Sequence, residues 1–283
     1  MSGLRTYAGD RTPLDRNWLA KQRRHLRLWR RFFVQALVRE THYRAHFVTT
    51  LLVGVVQLGL GIVPILLLFG YTDEVHGWSQ AEVITLAGMF QIVTGLMATF
   101  VAPNLNRMTT YLTEGELDGV LLRPVSSQFY LTLRWINVAE LSNVAGGLVV
   151  LLIGLERSAA GPSLVHVGQA LVLAACGIVL LSSVWSALSF LAFWLQSVDS
   201  IGVIYLNLVE AGRYPLAFFP VGVRSFLTFA FPVAFASTYP VQALSGDLGW
   251  LPVGGGLALT VVAVTLVRMM WRRGLRTYAS ASS

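Results

Sequence analysis

Few side chains in this sequence stand where they could do chemistry, and each group lacks the company it would need. His42 and His46 are four residues apart, the separation that turns two imidazoles to one helix face for a metal ion. No acidic or cysteine partner follows at a useful spacing, so the pair reads as the end of a first helix at a membrane surface. No Gly-x-Ser-x-Gly elbow, His-Glu-x-x-His pair or glycine-rich dinucleotide fingerprint occurs. Ser182, Ser183, Ser186 and Ser189 recur at three- and four-residue steps beside Ala187. That is a small-residue stripe for helix packing rather than a set of nucleophiles. Cys176 is the one cysteine, which excludes a disulfide framework and a cysteine metal cluster.

Lys21 is the only lysine and sits in Ala20-Lys21-Gln22. A phosphate-cradling P-loop ends in Gly-Lys-[Ser/Thr], so that an ammonium group reaches the β- and γ-phosphates. The sequence therefore predicts no catalytic residue, no bound metal and no cofactor in this chain. If something is moved at the expense of ATP, ATP and Mg must sit on another chain. The remaining chemical candidates are ionisable residues near or inside apolar stretches, which are functional by default. They are Glu140, Glu210 and Arg213, with Arg134 and Asp199 at the boundaries. Glu210 and Arg213 lie i, i+3 on one helix and can neutralise each other. A structural ion pair and a position on a pathway or gate both fit.

These residues are carried by a chain built to lie in a bilayer. Hydrophobic residues make up 55% and charged residues 12%, the latter about half the share of a soluble domain. Six stretches approach or exceed the ~20 residues that cross a ~30 Å hydrocarbon core. They are Phe47–Phe69, Val83–Ala102, Trp135–Leu155, Val167–Leu195, Ile201–Phe219 and Trp250–Trp271. The fourth is long enough to require a tilt, and Glu210 and Arg213 interrupt the fifth. The expected fold is an all-α membrane protein. Residues 1–46 would form a cytoplasmic tail and amphipathic helix, 47–273 a six-span transmembrane domain, and 274–283 a cytoplasmic tail. The first apolar run is too long for the core of a cleavable signal, so it would itself direct insertion.

Of 21 basic residues, 18 fall before the first stretch, between the second and third, or at and beyond the end of the sixth, where Arg268 is its last charged residue. All three places lie on one side of an even-numbered path. The opposite loops hold only Arg157 and Arg224, with Asp73, Glu74, Glu156 and Asp247. The bias predicts two cytoplasmic termini in a cell membrane. It also argues against nucleic acid as the partner of the +7 net charge.

Three polar or broken regions decorate the spans. From Trp18 to about Arg39, a helical projection puts Leu26, Trp29, Phe32, Phe33, Ala36 and Leu37 on one side. Arg23, Arg24, Arg27, Arg30 and Arg31 fall on the other. Such a basic amphipathic helix lies flat among lipid headgroups. In the loop Pro103–Ser126, Thr113 and Glu116 have capping-box spacing, and Glu114, Glu116 and Asp118 complement a helix dipole. Leu117, Val120, Leu121 and Leu122 supply an apolar edge before Arg123-Pro124 ends the helix. It either packs on the chain's own spans or docks into a partner. The aromatic stretch Tyr214–Pro240 is broken by Pro215, Pro220, Pro232 and Pro240. It fits an outer re-entrant or interfacial hairpin, with a seventh span as the competing reading.

Tyr43-Arg44-Ala45-His46-Phe47 and the string Gly115-Glu116-Leu117-Asp118-Gly119-Val120-Leu121-Leu122-Arg123-Pro124-Val125-Ser126 resemble the membrane subunits of ABC-2-type transporters. The similarity is to short six-span permeases encoded beside a separate ATPase. Arg213-Tyr214-Pro215-Leu216, Phe219-Pro220, Phe231-Pro232 and Tyr239-Pro240 resemble that branch's outer re-entrant segment. The likeness runs from about Leu26 to Arg273. It implies that Arg23, Arg27, Trp29, Arg30 and Phe33 belong to a membrane elbow helix. It implies that Glu114, Glu116, Leu117, Asp118, Leu121, Leu122 and Arg123 belong to a coupling helix seated in an ATPase. It further implies two ATPase copies, a second permease (identical or homologous), and export across a bacterial inner membrane. An ATP-independent channel or secondary transporter is the alternative function, and an intramembrane enzyme the weakest.

Overall fold

The computed structural model describes residues 18–42, 44–113, 116–122, 127–158, 161–195 and 199–277. Helix α1 (Trp18–His42) leads to α2 (Arg44–Phe69), and a two-stranded hairpin, β1 (Glu74–Val75) with β2 (Trp78–Ser79), leads to α3 (Gln80–Phe100). A linker of short helices follows: α4 (Ala102–Leu105), α5 (Met108–Thr113), α6 (Glu116–Leu121) and α7 (Ser127–Leu133). Then come α8 (Leu141–Glu156), α9 (Leu164–Phe190), α10 (Asp199–Glu210), α11 (Val221–Ser225), α12 (Thr238–Ser245) and α13 (Trp250–Thr277). Among the described residues, five helices are long and apolar enough to cross a membrane: Phe47–Phe69, Gln80–Phe100, Val138–Glu156, Leu164–Phe193 and Trp250–Thr277.

The axis of the bundle is α3. Of its most apolar stretch 72% is buried, against 11% for α2 and 17% for α13. Small residues explain how α8 comes so close. A methyl group on Gly88 would stand 2.7 Å from the Gly147 carbonyl oxygen, and one on Gly147 would stand 2.8 Å from Ile92 N. Only hydrogen fits at that crossing. The polar side chains of α3 are absorbed locally. Thr85, Thr94 and Thr99 donate to the carbonyls of Ala81, Phe90 and Gly95, each at 2.8 Å.

The turn before α3 is tightly specified. His76 and Gly77 both take positive φ (51° and 79°), as a two-residue hairpin loop requires. Ser79 then caps α3: Glu82 N donates to Ser79 Oγ at 3.4 Å, and Ser79 N donates to Glu82 Oε2 at 2.8 Å.

The expected fifth span over Ile201–Phe219 needs correction. Helix α10 stops at Glu210 after 12 residues, about 18 Å of rise, too short for a ~30 Å core. A 3-10 turn (Ala211–Arg213), an extended Tyr214 and a second 3-10 turn (Leu216–Phe218) continue it. Pro215 is the physical cause, since it offers no amide hydrogen and forces its predecessor out of the helical region. Phe218 nonetheless comes within 5.7 Å of the His76 ring at the tip of the β-hairpin. Irregular backbone thus carries the chain on from α10 to the hairpin end of the bundle.

Beyond Phe218 the chain turns back into the bundle. Val221–Ala230 and Val233–Ser245 meet at a 77° bend. The bend lies at mid-height: Phe231 packs on Tyr205 of α10 at 5.4 Å, and Phe235 lies against Gly177, midway along α9. The segment returns to Asp247, which faces Thr72 and Arg157 across a cavity. Hydrogen bonds tie it to the stretch before it and close its own turn. Ser237 Oγ donates to Gly212 O at 2.6 Å, and Leu216 N donates to Thr238 Oγ1 at 3.4 Å. Phe231 N reaches Phe226 O at 2.8 Å in a single π-turn. Irregular backbone at membrane depth survives only under such cover.

Candidate functional site

The linker α4–α7 lies at the bundle end where α3 finishes, and it is fastened at its root by one side chain. Asn104 is buried, and its amide spans 31 residues of sequence. Nδ2 donates to Trp135 O at 2.7 Å and to Phe100 O at 2.8 Å, while Oδ1 accepts from Trp135 N at 2.8 Å. The chain thus leaves α3 and re-enters towards α8 at one pinned crossing, where Asn137 N also donates to Thr99 O at 3.0 Å.

Above the pin, the short helices share a small core. Met108 and Tyr111 of α5, Leu117 and Val120 of α6, and Tyr130 and Leu131 of α7 pack with Phe190 at the end of α9 and Trp271 of α13. Leu117 is fully buried, whereas Leu122 is 78% exposed. A side chain at Gly119 would meet nothing within 4 Å. The apolar edge expected over Leu117–Leu122 is therefore split: one part holds α6 to its own spans, the other faces away. Asp118 is half-buried. Glu114 and Arg123 lie outside the described residues, as do the side chains of Thr113, Glu116 and Leu121, so the capping box is not described.

Helix α1 lies against this linker by its aromatic face. Trp29 stacks on Phe33 at 5.7 Å and approaches Phe100 at 6.4 Å, and Phe32 meets Tyr130 edge-on at 6.0 Å. Ala36 is buried, while Arg27, Arg30 and Arg31 are exposed. The Arg23 side chain is outside the described set. Val34, Leu37 and Val38 stay exposed.

The three charged candidates are not brought together. Glu140 stands at the start of α8 and accepts from Asn143 Nδ2 at 2.6 Å. Asn143 itself lies against α2 at Gly54. Glu210 and Arg213 pair at 2.7 Å. Arg213 rests at Gly61 of α2, two turns beyond Gly54, with its guanidinium 5.7 Å from the Phe90 ring. Glu210 is the exposed member, its side chain 56% accessible at the end of a half-length helix.

Several working residues left no signal in the sequence. The Asn104 clamp and the contacts of Trp135 join positions too far apart for any local pattern. The capping box at Ser79 and Glu82 was readable from its spacing, but it lay at the edge of an apolar run. At the opposite end a cavity of about 560 Å³ is lined by Thr72, Asp73, Glu82, Arg157 and Asp247 among others. No cluster of metal-ligating side chains occurs among the described residues.

The family described as ABC-2 family transporter protein matches this chain over residues 55–282. No curated protein and no solved structure matches it. The chain belongs to the ABC-2 transporter family, and it is a multi-pass membrane protein of the permease type.

Proposed function

We propose that this chain is the permease subunit of an ABC exporter, working by alternating access under the drive of a separate ATPase. Two ATPase copies, carrying the ATP and Mg, would pair with two permeases, identical or homologous. Both termini would be cytoplasmic, in a bacterial inner membrane. Residues 1–46 would then form tail and elbow, 47–273 the transmembrane domain and 274–283 a cytoplasmic tail. Helix α1 is the elbow, with Arg23, Arg27 and Arg30 towards headgroups and Trp29 and Phe33 inward. The segment after Phe218 is the outer re-entrant hairpin, and α10 with its 3-10 turns completes the sixth crossing. Glu140, Glu210 and Arg213 are candidates for the pathway or its gate.

One observation carries this reading. Helix α6 holds Leu117 and Val120 in the same core as Phe190 and Trp271 while Leu122 and Gly119 face away. A push on its outer face is passed to α9 and α13 through packed side chains, and close-packed cores transmit displacement rather than absorb it. That is what a coupling helix spanning Glu114–Arg123 needs, with Glu116 and Asp118 at its start and Leu121 and Leu122 at its tip.

Replacing Leu121 and Leu122 with aspartate tests it. If the tip is docked, two charges are buried in a groove at a cost of several kcal/mol. The double mutant should insert and purify as a monodisperse protein but lose the ABC ATPase, followed by mass spectrometry of its Walker A peptide. Retention of the ATPase with normal transport would remove α6 from the mechanism.

A further inference from the structure

Three arginines from three separate parts of the chain converge on one indole. The Arg107 guanidinium carbon lies 3.8 Å from the Trp135 ring centroid, that of Arg134 4.7 Å and that of Arg39 5.7 Å. Arg39 comes from the end of α1, Arg107 from the turn between α4 and α5, and Arg134 from the turn after α7. Arg39 donates to Ile136 O at 2.6 Å and Arg134 to Tyr111 OH at 3.2 Å, while the Arg107 guanidinium makes no hydrogen bond among the described residues. Trp135 Nε1 donates to the same Tyr111 hydroxyl at 3.2 Å, which fixes the ring that the cations surround.

Among the described residues no carboxylate pairs with any of the three. Glu40 follows Arg39 in sequence, but its buried Oε1 makes no hydrogen bond. Three like charges around one ring repel one another, and cation–π attraction offsets that only in part. Most of their guanidinium hydrogens meet no acceptor among the described residues. Arg39 and Arg107 are exposed and Arg134 is half-buried, so the cluster opens outwards. It sits where α3 ends and α8 begins, beside the basic face of α1. Trp135 marks the level of a membrane–water boundary, where tryptophan concentrates.

We infer that Arg39, Arg107 and Arg134 form a site for a phosphate group, supplied by the headgroup of an anionic lipid. Guanidinium forks match phosphate oxygens two at a time, and basic pockets at the inner boundary take lipid headgroups. One phosphate bound there would tie the elbow, the linker and the start of the α8 span together through a ligand.

The full-length chain in phosphatidylcholine nanodiscs doped with phosphatidylglycerol provides the test. Lipid retained after stringent detergent exchange is measured by native mass spectrometry. Wild type should retain phosphatidylglycerol. Arg107→Gln, which breaks no hydrogen bond in the chain, should reduce that retention about tenfold. Arg272→Gln, removing an exposed charge elsewhere, should leave it unchanged. Equal retention by Arg107→Gln overturns the site. Displacement of the lipid by millimolar inorganic phosphate overturns the headgroup and assigns a soluble anion. Loss of the ABC ATPase from Arg107→Gln, with lipid retention intact, overturns the proposal in favour of a protein partner.

Discussion

The linker of α4–α7 and the bent segment from Ala211 to Ser245 are both runs of short helices joined by turns, yet they are held in opposite ways. The linker depends on one clamp at its root, Asn104, and on one apolar face closed over Phe190 and Trp271. Its other face is open, as Gly119 and Leu122 show. The bent segment is bonded along its length and enclosed from Phe231 to Thr238. The difference teaches where the molecule can move. A body held at its root and along one face can tilt and stay folded. A segment bonded at several points and enclosed can move only with the helices around it.

The sharpest way to break this contrast is to add the same side chain to both regions. At Gly177 a Cβ would lie 2.5 Å from Phe235 O, so Gly177→Leu must push the bent segment off α9. Overpacking costs about 1–3 kcal/mol where a core can give, and here the obstacle is backbone. The variant should lose its single sharp elution peak in detergent. Gly119→Leu, set in open space, should purify like wild type. Matching behaviour of the two variants would end the distinction.

An intermediate effect is expected at the clamp. Asn104→Leu strands Trp135 N–H, Trp135 C=O and Phe100 C=O, at about 1–3 kcal/mol for each buried group left unpaired. Hydrogen exchange should rise through residues 102–136 while α3 and α8 stay protected. Asn104→Asp keeps the acceptor and should loosen the linker less. Uniform exchange across the protein would show that the clamp supports the whole bundle.

The smallest effect belongs to Ser237→Ala, which removes one of several bonds in the bent segment. It should cost about 1 kcal/mol, seen as a few degrees in thermal unfolding, with no local rise in exchange. A local opening as large as that of Asn104→Leu would mean the two regions are not held differently after all.

The sequence reveals crossings by length and apolarity, and five of the six expected stretches hold a helix long enough to span for that reason, although residues 135–137 of the third are irregular and its helix begins only at Val138. Ile201–Phe219 fails as a helix because apolar composition reports depth, not continuity, and Pro215 decides continuity. The prolines at 215, 220, 232 and 240 do mark the bent segment. In α6, Leu117 and Val120 share a helical face from which Leu122 is turned away, so their divergent fates were present in the phase. Reading them as one edge hid that. The i, i+3 spacing of Glu210 and Arg213 marked them as a pair, which they form, whereas nothing in the spacing tied Glu140 to Asn143 in preference to any other partner. The partners of Asn104 and Trp135 are fixed only by tertiary structure, beyond the reach of local pattern.

Because α3 is enclosed largely by segments that follow it, a ribosome delivers it before its neighbours exist. The nascent α3 carries bare Gly88 and Gly95 and three inward polar side chains, Thr85, Gln91 and Thr99, until α8 emerges about forty residues later. In that interval α2 is the only span beside it, and the capped β-hairpin keeps the two antiparallel.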